Sequence, residues 1–348
     1  MIKVAIDSGP LKSGDSVRGI GFHTKLLTEH MTKVKDVRFD IVDVRKENLD
    51  SYDLIHYQKF HPYFLSIPLT KKKKSVITIH DLIYLLYPDK YPSGIRGRII
   101  YEMQKILVKR MDAIITISET SKKDIVRFLG IPAEKIFPVH LAARDTFKVI
   151  TNQKYLDSVK KKYALPEKFV LYVGDVNCNK NLPTLCKAVK AAKTTLVIVG
   201  KQAVSKDFDK NHPENKSLVK LLKEYGNDSS IKRLGFVDDE DLVALYNLAT
   251  VYVQPSFYEG FGLPLLEAFA CKLPVIASKI QAHVEIGGEA PLYVDPKKYE
   301  DFSEKIRMVM NDEKLRKDMI SKGLDKVSEY SWDKTANETA EVYRKITQ

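Results

Sequence analysis

Short apolar runs, many rich in β-branched residues, alternate along the chain with segments of helical periodicity. Short runs that are apolar on both faces are typical of parallel strands covered by helices on each side. In the first half the pattern predicts strands over residues 2–7, 39–44, 54–57, 76–80, 113–118 and 136–140, and helices over 21–31, 94–110 and 121–129. In the second half it predicts strands over 169–174, 195–200, 231–237, 250–256, 274–278 and 292–294, and helices over 182–192, 217–225, 240–248, 265–270, 299–310 and 313–330.

The pattern restarts after a polar, Lys-rich stretch at residues 145–168, which is the best candidate for a linker. A chain of 348 residues is also long enough for two domains, since one domain takes ~100–200 residues. We therefore predict two Rossmann-like, doubly wound α/β domains over residues 1–165 and 166–330. A separate terminal helix follows in residues 331–348, with Ser331 as its N-cap.

Composition fits a globular cytoplasmic protein. Apolar residues make up 44% and charged residues 29% of the chain, and no apolar run approaches the ~18 residues of a membrane-spanning helix. The N-terminus has the pattern of a first strand and lacks a secretory signal. Cys178, Cys186 and Cys271 lack metal-type spacing, so reduced, buried thiols are expected.

The net charge of +12 is unevenly distributed. Residues 1–168 contain 31 Lys+Arg against 19 Asp+Glu, whereas residues 169–348 contain 26 of each. This asymmetry predicts that the first half meets an anionic ligand or surface, such as a nucleic acid, acidic lipid headgroups or a phosphorylated acceptor.

The most informative segment lies at residues 250–270. A buried strand is followed by a turn that contains two glycines, and a helix then begins near Pro264. Such a helix start offers backbone N–H groups and the positive end of the helix dipole to a phosphate. Glu259 precedes the helix and can meet sugar hydroxyls, while Glu267, about one turn into it, can accept from a ribose diol. Together they match a sugar–diphosphate–ribose ligand.

Residues 255–278, PSFYEGFGLPLLEAFACKLPVIAS, resemble the E-x7-E signature of the retaining GT-B glycosyltransferases of family 4 (glycosyl transferases group 1). The region that begins at His80 resembles the mannosyltransferase-type members of this family most. The resemblance extends over nearly the whole chain. It implies a GT-B fold, in which two Rossmann-like domains face a cleft and the terminal helix crosses back to the N-terminal domain. It also implies that the N-terminal domain binds the acceptor and the C-terminal domain the nucleotide sugar.

The resemblance assigns further residues. Gly19 and Gly21 match a glycine turn against the donor diphosphate, and His80 ends a strand where the family's histidine faces the donor sugar. Lys180 and Asn181 match the diphosphate-binding loop, and Val237 the strand end beside the nucleobase. The implied catalytic residues are His80 and Glu259; the other donor-binding residues are Phe261, Gly262, Leu263 and Glu267.

Three positions depart from the family pattern. Asp175 and Asn179 stand where many relatives place an arginine, so one cation on the diphosphate is absent or supplied elsewhere, with Arg18 as a candidate. Lys272 stands where the family often has glycine, which affects a helix cap rather than the chemistry.

The implied reaction is retaining transfer of a hexose from a nucleotide diphosphate sugar to a hydroxyl of a glycan or lipid-linked acceptor. The segment after His80 favours GDP-mannose over a UDP-hexose as the donor. No further cofactor and no metal are expected, because the acidic residues 238–241 precede a helix and are explained by capping and the helix dipole.

The basic first half supplies candidates for contact with the acceptor or with a membrane. These are Lys71, Lys72, Lys73 and Lys74, and Arg96 and Arg98 on an amphipathic helix. A basic amphipathic helix beside a lysine run is typical of proteins that bind anionic membrane surfaces. We therefore expect a cytoplasmic enzyme with peripheral binding at the inner face of the membrane; the oligomeric state is not predicted.

Three alternatives remain open on the sequence. A nucleic-acid-binding protein would explain the basic half, although no nucleic-acid motif is visible and no such partner is expected. An inactive nucleotide-sugar-binding scaffold would fit Asp175 and Asn179. A nucleotide-sugar epimerase of related fold is the third.

Overall fold

The computed structural model describes residues 1–12 and 19–348. These residues form two compact units: unit 1 contains residues 1–142 and 330–348, and unit 2 contains residues 143–329. Each unit is built on one six-stranded parallel sheet. The predicted pair of α/β folds is therefore confirmed.

The strands lie close to their predicted positions. They are β1 (Ile2–Asp7), β2 (Val37–Val42), β3 (Leu54–Tyr57), β4 (Lys74–Thr78), β5 (Ala113–Thr116), β6 (Ile136–Pro138), β7 (Val170–Val173), β8 (Leu196–Val199), β9 (Ile231–Gly235), β10 (Val251–Gln254), β11 (Val275–Ser278) and β12 (Leu292–Val294). The sheet of unit 1 has the order β2-β1-β3-β4-β5-β6, and that of unit 2 the order β12-β11-β10-β7-β8-β9.

Helices cover both sheets. They are α1 (Gly9–Lys12), α2 (Gly19–Met31), α3 (Ile83–Leu86), α4 (Gly94–Lys109), α5 (Glu119–Leu129), α6 (Gln153–Lys162), α7 (Leu182–Ala191), α8 (Lys216–Tyr225), α9 (Asp239–Leu248), α10 (Leu263–Ala270), α11 (Gln281–Gly287), α12 (Tyr299–Asn311), α13 (Glu313–Val327) and α14 (Trp332–Thr347). Short 3-10 helices lie at Ala133–Lys135, Cys178–Lys180, Lys201–Val204 and Pro213–Asn215.

The terminal helix α14 belongs to unit 1, as the family fold implies. Its Tyr343 hydroxyl lies 2.6 Å from His56 Nδ1 on β3, and its Thr335 hydroxyl donates to the His140 carbonyl at 2.7 Å. Trp332 and Tyr343 are buried on its inner face. Ser331 caps the helix by accepting from the Lys334 N–H at 3.1 Å.

The prediction of a linker at residues 145–168 is wrong. This stretch contains α6, whose N-cap Asn152 accepts from the Tyr155 N–H, and the unit boundary lies at residues 142/143 rather than 165/166. The buried Leu156 and Val159 lie on one face of the helix, whereas Lys161 and Lys162 are exposed. Helix α6 packs against α9 of unit 2.

Candidate functional site

The topology of unit 2 creates a crevice at the carboxyl ends of β7 and β10. These strands are neighbours, with Val170 opposite Val251, but the chain leaves β7 toward β8 and leaves β10 toward β11 on the other side. Ligands of open α/β sheets bind at such a switch point. The segments that follow β7 and β10 carry Lys180 and Glu259, so the fold brings both predicted donor-binding residues to this edge.

Lys180 and Glu259 form an ion pair there. Lys180 Nζ lies 2.8 Å from Glu259 Oε1 and 2.8 Å from Oε2. The two side chains are largely buried, with 23% and 12% of their surfaces exposed. Burial alone would raise the pKa of Glu259, but the Lys180 charge and the hydrogen bonds to this carboxylate hold that pKa below its ordinary value. Glu259 is therefore an anion at neutral pH.

Two further side chains hold Glu259, and sequence reasoning missed both. Gln254 Nε2 donates to Glu259 Oε1 at 2.7 Å, and the Ser256 hydroxyl donates to the same oxygen at 2.6 Å. Both side chains are buried. The signal available in the sequence was a pair of polar residues ending an otherwise apolar strand.

The glycine turn ends in the N-terminus of α10, as predicted. Gly262 is the N-cap and has φ 104°, a conformation that favours glycine. A Cβ atom at this position would lie 3.2 Å from His283 Cδ2. Leu263 begins the helix and Phe261 is buried. Because the first N–H groups of a helix lack intrahelical acceptors, this end suits a diphosphate.

Glu267 has a different environment from Glu259. It is buried on α10, and the Tyr246 hydroxyl donates to its Oε2 at 3.1 Å. Burial raises the pKa of Glu267 to about 7, although the Arg144 charge and the Tyr246 hydrogen bond oppose the shift. The pKa values of the two signature carboxylates are thus displaced in opposite directions. Glu259 and Glu267 are therefore not two equivalent catalytic carboxylates.

Two predicted donor-binding side chains belong to the scaffold. Asn181 Nδ2 donates to the carbonyls of Pro255 at 2.9 Å and Pro296 at 2.7 Å, so its amide fastens the loop after β10. Val237 is buried, whereas its neighbour Phe236 is exposed beside it. The contact of these two residues with a donor stays a prediction, and within unit 2 the Asn181 NH2 group already has two acceptors.

Asn179, which replaces a family arginine, also fastens this loop. Its Nδ2 donates to the Tyr258 carbonyl at 3.1 Å, and its own carbonyl accepts from the Phe257 N–H at 2.7 Å. Lys272 has φ 57°, which is the left-handed conformation expected at that helix cap.

His80 lies in unit 1, two residues after β4. Its ring is 4.8 Å from that of His23 in an edge-on arrangement. Burial lowers the pKa of His23 well below its ordinary value, so His23 is a neutral neighbour at physiological pH.

Gly19 and Gly21 lie within a helix rather than in a turn before it, and their contact with the donor diphosphate stays a prediction. Both residues belong to the first turn of α2, where helix N–H groups have no intrahelical partner and glycine is tolerated. Arg18, the candidate extra cation, lies outside the described residues.

The lysine run makes contacts within unit 1. Lys71 Nζ lies 2.6 Å from Asp112 Oδ2, and Lys73 Nζ donates to the Asp50 carbonyl at 2.9 Å. Lys74 donates to the Ile346 carbonyl. These contacts reduce the charge that the run presents to a partner. Arg96 and Arg98 are exposed on α4.

The acidic residues 238–241 lie at the start of α9, as predicted. Asp238 is the N-cap, but its side chain makes no capping hydrogen bond, whereas Asp239 and Asp241 bind other side chains. Asp241 accepts from the hydroxyls of Tyr155 at 2.9 Å and Tyr163 at 2.8 Å and from Lys162 at 2.5 Å. Asp239 accepts from Arg144 at 2.7 Å. Within residues 1–12 and 19–348, no group of three or more His, Cys, Asp or Glu side chains could hold a metal ion.

Fold and site together define a GT-B glycosyltransferase. A model of the glycosyl transferases group 1 matches residues 156–326, and a model of glycosyltransferase family 4 matches residues 9–142. The chain belongs to this family, and it is a transferase that uses a nucleotide sugar. The nucleic-acid-binding and scaffold alternatives are not favoured.

Similar proteins agree with this assignment. The O-antigen chain mannosyltransferase B of Escherichia coli is 29% identical over 281 residues, covering 78% of this chain and 70% of that protein. The serotype-specific mannosyltransferase WbdA of Escherichia coli is 29% identical over 290 residues, covering 82% of this chain and 35% of that protein. The solved structure of sucrose-phosphate synthase from Thermosynechococcus elongatus has a TM-score of 0.75 at 20% identity, with 99% of both chains covered.

Proposed function

We propose that the protein transfers a hexose, with retention of anomeric configuration, from a nucleotide diphosphate sugar to a hydroxyl of a glycan or lipid-linked acceptor. The observation that carries this proposal is the Lys180–Glu259 ion pair at the switch point of unit 2. It supplies a cation for the diphosphate and an anion for the sugar hydroxyls. Unit 1 is assigned to the acceptor and unit 2 to the donor.

The chemistry requires stabilisation of the leaving group. The glycosyl transition state resembles an oxocarbenium ion, and negative charge grows on the departing diphosphate. Lys180 and the amides of residues 261–263 are proposed to stabilise that charge in a fixed geometry. Glu259 positions the sugar, Glu267 accepts from the ribose diol, and His80 contacts the donor sugar. No protein nucleophile is assigned.

The donor is proposed to be GDP-mannose rather than a UDP-hexose. The support is the similarity to the two Escherichia coli mannosyltransferases, each 29% identical. A thermal-shift panel of GDP, UDP, GDP-mannose and UDP-glucose tests this choice. Stabilisation by the guanine nucleotides and not by the uracil nucleotides is expected, and the reverse order would reject GDP-mannose.

We further propose that unit 1 binds an anionic membrane surface, in agreement with a cytoplasmic enzyme at the inner face of the membrane. Helix α4 exposes an apolar stripe at helical spacing, in which Ile95 is 82% and Ile106 65% exposed, with Ile99 between them. Arg96 and Arg98 flank the stripe. Among the described residues, no helix is long and apolar enough to cross a membrane.

A loop packed against the same helix exposes further apolar side chains. Gln104 on α4 donates to the carbonyls of His61 at 2.7 Å and Phe64 at 2.8 Å, and Arg110 donates to the Leu69 carbonyl at 2.8 Å. These bonds hold the backbone of the loop against the helix, and the loop exposes the side chains of Phe64, Leu65 and Leu69. Apolar groups beside basic ones fit the interface of an anionic bilayer.

The charge of the units is consistent with this assignment. Unit 1 contains 27 Lys+Arg and 19 Asp+Glu, a net of +8, and unit 2 contains 30 and 26, a net of +4. The excess in the first part of the chain is thus smaller than a division at residue 168 suggests, because basic residues of α6 belong to unit 2.

Donor turnover in the presence of acceptor tests the main proposal. Lys180→Ala and Glu259→Ala are each expected to lower kcat/KM roughly 100-fold or more. The anomeric configuration of the product, determined by NMR, tests retention. Turnover near wild type in both variants would reject the assigned roles, and an inverted product would reject retention.

A further inference from the structure

The two oxygens of the Glu259 carboxylate have unequal sets of partners. Oε1 accepts from Lys180, from Gln254 at 2.7 Å and from Ser256 at 2.6 Å. Oε2 accepts from Lys180 at 2.8 Å. An ionised carboxylate offers about four acceptor positions over its two oxygens. Oε1 is therefore saturated by the scaffold, whereas Oε2 retains capacity for a further donor.

The orientation of the Gln254 amide follows from its other neighbour. The Tyr252 hydroxyl contacts Gln254 Oε1. Burial raises the pKa of Tyr252 well above its ordinary value, so Tyr252 is a neutral phenol that donates this hydrogen bond. The Gln254 carbonyl oxygen must then face Tyr252, and its NH2 group must face Glu259 and Ser256.

Tyr252, Gln254 and Ser256 form one buried row, which we call the β10 relay. Alternate residues of a strand point to the same face, and the row extends from β10 past its carboxyl end. Gln254 Nε2 also donates to the Ser256 hydroxyl oxygen at 3.1 Å, and the Ser256 hydroxyl in turn donates a hydrogen bond to Glu259. Gln254 is 1% exposed, so the relay has no solvent competitor for these bonds.

We propose that Gln254, together with Ser256, is a positioning residue that fixes Glu259 so that Oε2 receives a hydroxyl of the donor sugar. This inference rests on the proposed role of Glu259 in contacting that sugar. The relay also allows Lys180 to turn toward the diphosphate, because the Glu259 carboxylate keeps the Gln254 and Ser256 donors when the lysine leaves it. An apolar residue at position 254 would remove the Gln254 donor, and the position of Glu259 Oε1 would then be less restricted.

Equilibrium binding to the full-length protein tests the inference. The affinity for GDP-mannose is compared with that for GDP, and the affinity for UDP-glucose with that for UDP. Gln254→Met and Ser256→Ala should each weaken the bound nucleotide sugar roughly tenfold, the size of one charge-assisted hydrogen bond. The affinity for the corresponding nucleoside diphosphate should change less than about twofold, because that ligand lacks the sugar. Ser303→Ala, at a buried serine of α12, is the matched control and should change neither affinity.

The double variant Gln254→Met/Glu259→Gln separates positioning from general support of the fold. If Gln254 acts through Glu259, the double variant binds nucleotide sugar no more weakly than Glu259→Gln alone. Additive losses, or equal losses for nucleotide sugar and nucleoside diphosphate, would overturn the inference. So would unchanged binding in both single variants. A wild-type protein that binds no nucleotide sugar would instead overturn the proposed function, and the inference with it.

Discussion

Lys180 Nζ lies 2.8 Å from each carboxylate oxygen of Glu259, and the two residues are 79 positions apart in the chain. In the proposed donor complex, each contacts a different part of the ligand. The diphosphate would then compete with Glu259 for Lys180, and the sugar hydroxyls would take up the carboxylate. Without a donor, the ion pair compensates both charges. In the proposed complex, the diphosphate replaces Glu259 as the partner of Lys180, and the sugar hydroxyls replace Lys180 as partners of Glu259.

The first prediction concerns the stability of this pair. Lys180→Met should lower the free energy of unfolding, because it leaves the Glu259 anion without its cation. The expected loss is about 1–3 kcal/mol, which is less than for a fully buried pair. Lys180→Met/Glu259→Gln should be more stable than Lys180→Met, since no uncompensated charge remains. Urea unfolding measures both variants; a double variant less stable than the single one contradicts this account.

The second prediction concerns pH. The pKa of Glu267 is raised from 4.5 to about 7. As pH rises through about 7 the carboxyl becomes an anion that can accept two hydrogen bonds from a ribose diol, so affinity for a nucleoside diphosphate should rise, up to about tenfold from Glu267 alone. Glu267→Gln should remove that part of the pH profile and leave the part due to the phosphate.

The raised pKa of Glu267 also makes the free energy of unfolding depend on pH. Between pH 4.5 and about 7 the folded protein binds the Glu267 proton more tightly than the unfolded chain does, so the stability contributed by Glu267 falls as pH rises. Urea unfolding of the ligand-free protein at several pH values should show a shallower decline for Glu267→Gln. Identical slopes for variant and wild type would contradict the buried environment of Glu267.

The third prediction concerns Gly262. An alanine there would adopt φ near 104° and place its Cβ 3.2 Å from His283 Cδ2. Gly262→Ala should therefore cost about 1–3 kcal/mol in the free energy of unfolding and weaken diphosphate binding. Gly19→Ala is the stability control, because Gly19 lies in a helix and a Cβ there has no neighbour within 4 Å. Equal stability of the two variants would show that Gly262 is not strained.

The fourth prediction concerns the apolar stripe of α4. Ile95→Ser/Ile99→Ser/Ile106→Ser should weaken binding to vesicles containing anionic phosphatidylglycerol roughly tenfold or more, since three exposed apolar side chains lose their contact with the bilayer. Met308→Ser, on an exposed site of unit 2, should leave flotation unchanged. Absence of wild-type flotation with either anionic or neutral vesicles would reject membrane binding.

Much of the fold was accessible from the sequence because its strands are short, apolar and separated by strongly patterned helices. Helix α6 was missed because Lys160, Lys161 and Lys162 mask the spacing of Leu156 and Val159. Its contribution to the fold depends on a distant partner: Asp241 binds Tyr155, Lys162 and Tyr163. Such pairings between separate segments leave no local pattern.

The site was predictable to the level of residue types but not of contacts. The signature identifies Glu259, and the loop after β7 identifies Lys180. Their mutual ion pair depends on β7 and β10 being neighbours in the sheet. The structural use of Asn181 and the support of Glu259 by Gln254 likewise depend on which backbone and side-chain atoms the folded loops bring close.

The most direct test of the central claim is turnover of radiolabelled nucleotide sugar by the purified protein, with Lys180→Ala and Glu259→Ala measured beside wild type. The account predicts release of nucleoside diphosphate and transfer of label to an acceptor by wild type, and losses of roughly 100-fold or more in both variants. Wild-type turnover that survives both substitutions would contradict it.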